Sequence, residues 1–247
     1  MVSTDLVEYC AASMPESDTT TSGGAIDTLR RAVFTDIAAN DQIRIVSASA
    51  GDTTQTVTVT GRNAAGAIVA ASATLNGTTP VVLSPTTTFE RVLKVEMSAG
   101  AAGAVTVERN TAPNDDVCII PVGERGARRL FYDSASETGA TTRFEKTFGY
   151  NKHAAQTLNN AVRRLAADPA AKIRMGIATS KNDAVSVANR KTTPGGITFV
   201  DDNVDQTVTG STLEALSGIG TWWELALLAN DSPQKTNFTS RLSGTSV

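Results

Sequence analysis

Residues 55–61 read QTVTVTG, and their alternation sets the fold class: in an extended chain Val57 and Val59 face one side, and Thr56, Thr58 and Thr60 the other. A sheet covered on one face is what that period serves. The flanking segments repeat the pattern, with VFTDI (33–37) and IRIVSAS (43–49) before it and IVAASATL (68–75), PVVLS (80–84), FERVLKVEMSAG (89–100) and GAVTVERN (103–110) after it. Turn-forming runs GDTT (51–54), RNAAG (62–66) and NGTTP (76–80) separate them at spacings of about 10 to 12 residues, the interval of a sandwich or barrel. About seven strands in about 80 residues predict a β-sandwich of immunoglobulin-like size over 32–112, without that family's paired Cys and intervening Trp.

TAPNDD (111–116) reads as a hinge, because Pro113 lacks a backbone donor and Asn114, Asp115 and Asp116 favour a turn. A second alternating series follows: VCIIPV (117–122), RRLFYDS (128–134), TRFEKTFGYN (142–151), KIRMGIA (172–178), ITFV (197–200), WWELALLA (222–229) and TNFTSRLSG (236–244). It predicts a second β domain over 113–247. The stretch HAAQTLNNAVRRLAADP, from His153, spaces Leu158, Val162 and Leu165 as a helix would and stops at Pro169, yet two strands around Asn159 and Asn160 satisfy it equally.

Residues 1–31 read as an extended acidic arm. Asp5, Glu8, Glu16, Asp18 and Asp27 stand against Arg30 alone in the first thirty residues, SDTTTSGG (17–24) is turn-rich, and Leu6, Val7, Tyr9, Cys10 and Met14 supply apolar anchors for docking. The expected class is mainly β: two tandem antiparallel β-sandwich or jelly-roll-like domains behind an N-terminal arm.

Composition limits the function. The 247 residues are 40% hydrophobic and 19% charged, too apolar for a wholly disordered chain and too polar for a membrane protein. Lys and Arg number 22 and Asp and Glu 25, so a net charge of −3 gives no general basic field for nucleic acid. Locally, ten basic residues face four acidic ones between Arg125 and Arg174, opposite in sign to the arm, and complementary patches of this kind select partners and register. The opening MVSTDLVEYCAASMPESD places acids where a secretory signal needs Lys or Arg, and the apolar run 222–229 contains Glu224 and falls far short of the ~20 residues of a membrane helix. Cys10 and Cys118, more than a hundred positions apart, are expected as reduced thiols in a reducing cytoplasm.

Catalytic and metal chemistry find few residues to work with. His153 is the single histidine, and no CxxC or HxxxH spacing supplies a zinc set. Asp201, Asp202 and Asp205 with Asn203, and Asp115 with Asp116, offer oxygen ligands to calcium, but they lack the alternating acids and closing Glu of an EF-hand, and solvated turns are expected there. No GxSxG elbow accompanies His153, and GGAIDTLRR lacks the lysine of a phosphate-binding loop. Seven Phe, three Tyr and two Trp leave little for a sugar-binding groove. No catalytic residue, cofactor or metal is expected. GERGARR (123–129), with Arg125, Arg128 and Arg129, suits a phosphate or, more simply, a solvated hairpin or a salt-bridged partner contact, since interleaved aromatics are missing. Trp222 and Trp223 are adjacent and face opposite sides of a strand, so one belongs to the core and the other is a candidate interface anchor.

The segment 56–110, with LNGTTPV, a Thr- and Ser-rich turn, and the phrase F.RV.KV..S....G.VTV, resembles the β-sandwich modules of structural proteins in tailed-bacteriophage virions. The second half, in RRLFYDSASETGATTRFEKTFGYNKH, LAADPAAKIRMGIA and GTWWELALLANDSPQKTNFTSRLSG, is similar to the partner domain of such proteins. Together these stretches span most of 32–247. The resemblance implies a non-enzymatic virion component, foremost a head decoration or cement protein on the capsid surface, made in the bacterial host cytoplasm. Its implied partners are the major capsid protein and further copies of itself, as a homotrimer; nucleic acid and membrane are not expected. A tail, baseplate or fibre-attachment role is the alternative within that class, and a carbohydrate-binding β-sandwich the alternative outside it. Candidate partner-interface residues are Leu6, Val7, Tyr9, Arg125, Arg128, Arg129, Trp222 and Trp223.

Overall fold

The alternation at 56–62 is a strand in the computed structural model, which describes residues 1–12, 24–131, 139–229 and 237–246. Its strands are β1 (Leu6–Ala11), β2 (Ile26–Arg31), β3 (Ile43–Ser47), β4 (Thr56–Arg62), β5 (Ile68–Thr74), β6 (Val81–Val82), β7 (Arg91–Met97), β8 (Val105–Arg109) and β9 (Asp116–Ile120). There follow β10 (Gly126–Arg128), β11 (Thr141–Asn151), β12 (Leu158–Ala167), β13 (Ile173–Lys181), β14 (Asp205–Thr207), β15 (Thr212–Leu213), β16 (Ser217–Leu227) and β17 (Thr239–Ser246). Among the described residues the helical parts are the short turns Ser3–Asp5 and Thr209–Ser211, and no helix is long and apolar enough to cross a membrane. The chain is therefore mainly β. It divides into two compact units, Thr28–Tyr132 and Met1–Asp27 with Asp133–Val247.

In the unit Thr28–Tyr132, one sheet runs β2-β10-β7-β4-β5 and a second runs β6-β3-β8-β9. Pairing is antiparallel except between β10 and β2, which lie parallel with Gly126 opposite Arg30. Val57, Val59, Val92 and Val95 from the first sheet pack in one cluster with Ile43, Ile45, Val105 and Val107 from the second. On the outer side of β4 the threonines are wetter, and Thr58 and Ser72 share a cross-strand hydroxyl hydrogen bond of 2.8 Å.

Three sequence expectations change here. VFTDI (33–37) forms no strand; the strand is β2, which fell inside the stretch read as an arm. TAPNDD is a hairpin turn between β8 and β9, with the Asn114 amide donating to the Thr111 carbonyl, so the chain crosses it without leaving the sandwich. Val117, Cys118 and Ile120 accordingly belong to the first core, and β10 pairs with β7.

The other unit is built on the long hairpin-like pair β11 and β16, in register from Thr141 opposite Leu227 to Asn151 opposite Ser217. β1 flanks β11 and β13 flanks β16. A smaller sheet centres on β12, which pairs with β14, β15 and β17. The ambiguous stretch at 153–169 is thus mostly strand. A bulge at Asn160, whose φ is +50°, sits between two registers of β12 and displaces the alternation, which gives the apolar positions their helix-like spacing.

Both faces of the β11–β16 pair are covered. On one, Ile219 and Ala178 cluster with Leu158, Ala161 and Leu213 of the smaller sheet; on the other, Phe144, Phe148 and Trp222 cluster with Val187, with Ile197 and Phe199 packed against them. The extended stretch 182–200 therefore serves as a lid of irregular chain. ITFV (197–200) makes one isolated bridge, Val200 to Met175, instead of a strand. RRLFYDS contributes only Arg128 to a strand, and its residues 132–134 lie outside the described residues.

Candidate functional site

The unit containing β11 draws charged side chains deep into its interior. Phe144, Lys146 and Phe148 share one face of β11, so period two places the Lys146 ammonium among aromatic rings, 4.8 Å from the Phe148 centroid and 5.5 Å from that of Trp222. Its side chain is 0% exposed, and that of Asp183 is 5%. Lys146 Nζ donates to Asp183 Oδ1 at 2.6 Å, to the carbonyls of Val185 at 2.9 Å and Gly24 at 3.0 Å, and more distantly to that of Asp183. Burial lowers the Lys146 pKa, with the hydrogen bond and charge of Asp183 opposing it. Asp183 Oδ2 is buried without a hydrogen-bond partner. Gly220 on β16 makes this arrangement possible: a Cβ there would lie 2.6 Å from Asp183 Oδ2 and 2.8 Å from Lys146 Cε.

The opposite face holds a second polar group. Arg163 of β12 donates to Glu8 Oε2 at 2.5 Å and to Thr221 Oγ1 at 3.1 Å, and its guanidinium lies 5.8 Å from the Trp223 ring centroid. Thr147 Oγ1 donates to Glu8 Oε1 and accepts from Trp223 Nε1 at 2.7 Å. Four strands, β1, β11, β12 and β16, are tied through these side chains.

The sequence-derived interface residues are placed as follows. Val7, Tyr9, Trp222 and Trp223 are buried in their own unit, the two indoles at 1% exposure, and Leu6 is half-buried against the cluster around Leu158. Tyr9 packs edge-on to Tyr150 with ring centroids 5.6 Å apart. The expectation of one exposed tryptophan is corrected, because β16 is a central strand covered on both faces: Trp222 meets the Phe148 cluster and Trp223 packs on Phe238 at 4.8 Å. The extended arm expected over 1–31, with its apolar anchors for a partner, is corrected for β1, which is a strand docked on its own chain through β11. Met14, Glu16 and Asp18 lie outside the described residues.

Of the three arginines in GERGARR, Arg125 is exposed and Arg128 is buried. Arg129 Nε donates to the Val92 carbonyl at 2.6 Å, while its terminal nitrogen reaches Asp36 Oδ1 at 2.7 Å and its guanidinium lies 5.2 Å from the Phe34 ring centroid. Burial, aided by neighbouring Arg91, pulls the Arg129 pKa down to about 10, with Asp36 opposing. Two of the run's three arginines are therefore drawn inward, and Arg129 ties it to Asp36 and the Val92 carbonyl.

Metal and nucleophile candidates are similarly occupied. Among the described residues no group of three or more His, Cys, Asp or Glu is placed to hold a metal ion. Asp201 pairs with Arg174 at 3.3 Å, Asp205 with Arg164 at 3.4 Å, Asp202 accepts from Asn203, and Asp115 pairs with Arg109 at 3.2 Å. His153 Nδ1 accepts the backbone N–H groups of Ala155 at 3.1 Å and Gln156 at 2.8 Å, so the ring closes a turn. Cys10 and Cys118 are buried thiols, and burial pushes the Cys118 thiol up to about 12. A shallow groove at the open end of β11 and β16 is lined by Thr141, Thr142, Phe144, Lys191, Ala226 and Leu227, with one cation and no carboxylate in its lining.

The internal Lys146–Asp183 pair escaped the sequence reading, although one signal was available: a lysine between two phenylalanines at positions two apart on a strand must share their inward face. Asp183, in an irregular stretch, carried no such mark. In comparisons with known proteins, no family model, no curated protein and no solved structure matches this chain.

Proposed function

We propose that this chain is a non-enzymatic structural component of a tailed-bacteriophage virion, of the kind that binds the outside of the head and reinforces the shell. The observation that carries the reading is the phrase F.RV.KV..S....G.VTV at 89–107. Its Phe89, Val92, Val95, Val105 and Val107 are core residues of the unit Thr28–Tyr132, so the phrase is the packing signature of that β module. The use of buried charges as ties, at Lys146–Asp183 and Glu8–Arg163, suits a load-carrying scaffold. A shell cement acts by mass action, adding contact area that exists only in the assembled state.

The docking surface in this reading lies on exposed aliphatics. Ile119 is 50% and Val122 60% exposed, and exposed Arg125 follows three residues after Val122. The partner is the major capsid protein, and the protein binds as a homotrimer at a symmetry axis. Immunogold electron microscopy on intact virions tests the location. Gold over heads supports the reading; gold confined to tails replaces it with a tail or baseplate role; unlabelled virions overturn it. Sedimentation of the free protein tests the trimer. Val122→Asp is expected to weaken attachment to purified heads about tenfold while leaving the melting temperature of the free protein unchanged.

A further inference from the structure

We propose that Lys146 and Asp183 are a modification site, at which the chain condenses Nζ with the Asp183 side-chain carboxyl into an intramolecular amide. The two groups already touch, at 2.6 Å between Nζ and Oδ1, with side chains 0% and 5% exposed. Phe148 and Trp222 line the ammonium, Gly220 lets β16 close over the pair, and Asp183 Oδ2 is buried without a hydrogen-bond partner.

Desolvation disfavours a charged pair relative to its neutral form, and it is also what makes a buried lysine nucleophilic. Lys146 pKa is lowered by that burial, in the direction the step needs. The balance closes without an outside reactant. A proton passes from Nζ to the carboxylate oxygen beside it, the freed nitrogen lone pair attacks Cγ, and the Nζ–Cγ bond forms. The hydroxyl then leaves with a second proton from nitrogen as one water. Charges of plus one and minus one become a neutral amide, whose remaining N–H has the Val185 and Gly24 carbonyls as acceptors. Oδ1, the oxygen that took the first proton, is the one that departs, and Oδ2 stays as the amide oxygen.

The product would bolt the irregular stretch 182–190 covalently to the middle of β11. This site rests on the geometry alone and is independent of the virion reading.

Intact mass spectrometry of the purified, denatured full chain tests it. The expected mass is one water, about 18 Da, below that of the sequence, counted with or without the first Met. Trypsin should spare Lys146 and release residues 144–152 joined to 182–190 as one branched peptide. The sequence mass in full, with separate peptides 144–146 and 182–190, overturns the proposal and leaves an ion pair whose ammonium serves the surrounding carbonyls. A deficit located elsewhere, such as a succinimide, overturns it equally. Lys146→Arg, where it folds, should restore the full mass and free the 182–190 peptide.

Discussion

Arg163 donates to Glu8 Oε2 at 2.5 Å, joining residues 155 positions apart in the chain. Arg163 is 2% exposed on its side chain and draws its other contacts from Thr221 and the Trp223 ring, so Glu8 is the carboxylate that answers its charge. Glu8→Ala leaves a buried guanidinium without that charge. The expected cost is about 3 kcal/mol, a fall of about 6 to 12 °C in the melting temperature of the unit that holds it. Differential scanning calorimetry measures it, and an unchanged transition would show that β1 is dispensable.

Gly220→Ala forces a methyl group onto Asp183 Oδ2 and Lys146 Cε, each nearer than 3 Å. Overpacking of this kind costs about 1 to 3 kcal/mol. Urea denaturation should show a lower midpoint with an unchanged slope, because the site is strained while the exposed surface on unfolding stays the same.

Asp52 gives the unit Thr28–Tyr132 an acid-sensitive tie. Its carboxylate accepts from the Ser47 hydroxyl at 2.6 Å and from the amides of Ala102 and Gly103 at 2.9 Å, and these hydrogen bonds hold its pKa below the ordinary 3.8. A depressed carboxyl contributes stability that is present above 3.8 and disappears as the pH falls through the lower folded value. Melting temperature recorded from pH 5 to pH 2 should therefore drop on the acid side. Asp52→Asn should lower it at pH 5 and flatten that acid limb; an identical limb in the variant would remove Asp52 as its source.

Both thiols should be silent in the native protein. With the Cys118 thiol at about 12, about one molecule in ten thousand carries the thiolate at pH 8, and Cys10 is 1% exposed. Ellman's reagent is expected to count no thiol in the folded chain within minutes and two after guanidinium is added. Prompt native labelling of either would contradict this burial.

The fold class was legible because short-range alternation survives in most strands: Val57 and Val59 against their threonines state both the strand and its buried side. Legibility failed where tertiary context replaced that rule. Asn160 adds one residue out of phase and disguises β12 as a helix, since a bulge leaves no mark in composition. Trp222 and Trp223 read as one inside and one outside because a single alternating strand cannot announce that both its faces are covered; the cover on one side comes from the irregular 182–200, which has no period at all. TAPNDD shows the reverse error. Its turn chemistry was read correctly, but a hairpin turn and a hinge between units use the same residues.

Because Met1–Asp27 folds with Asp133–Val247, the chain's beginning depends on its later half. During synthesis β1 leaves the ribosome well before its partner strand, since Asn151 and Thr147, the residues opposite Leu6 and Cys10, follow well over a hundred residues behind. At about 5 to 20 residues per second, that gap lasts about 7 to 30 seconds. The stretch from Thr28 to Tyr132, which holds nearly all the strands of its own core, emerges within that interval, while β1 waits, Val7 and Tyr9 uncovered, for a partner not yet made.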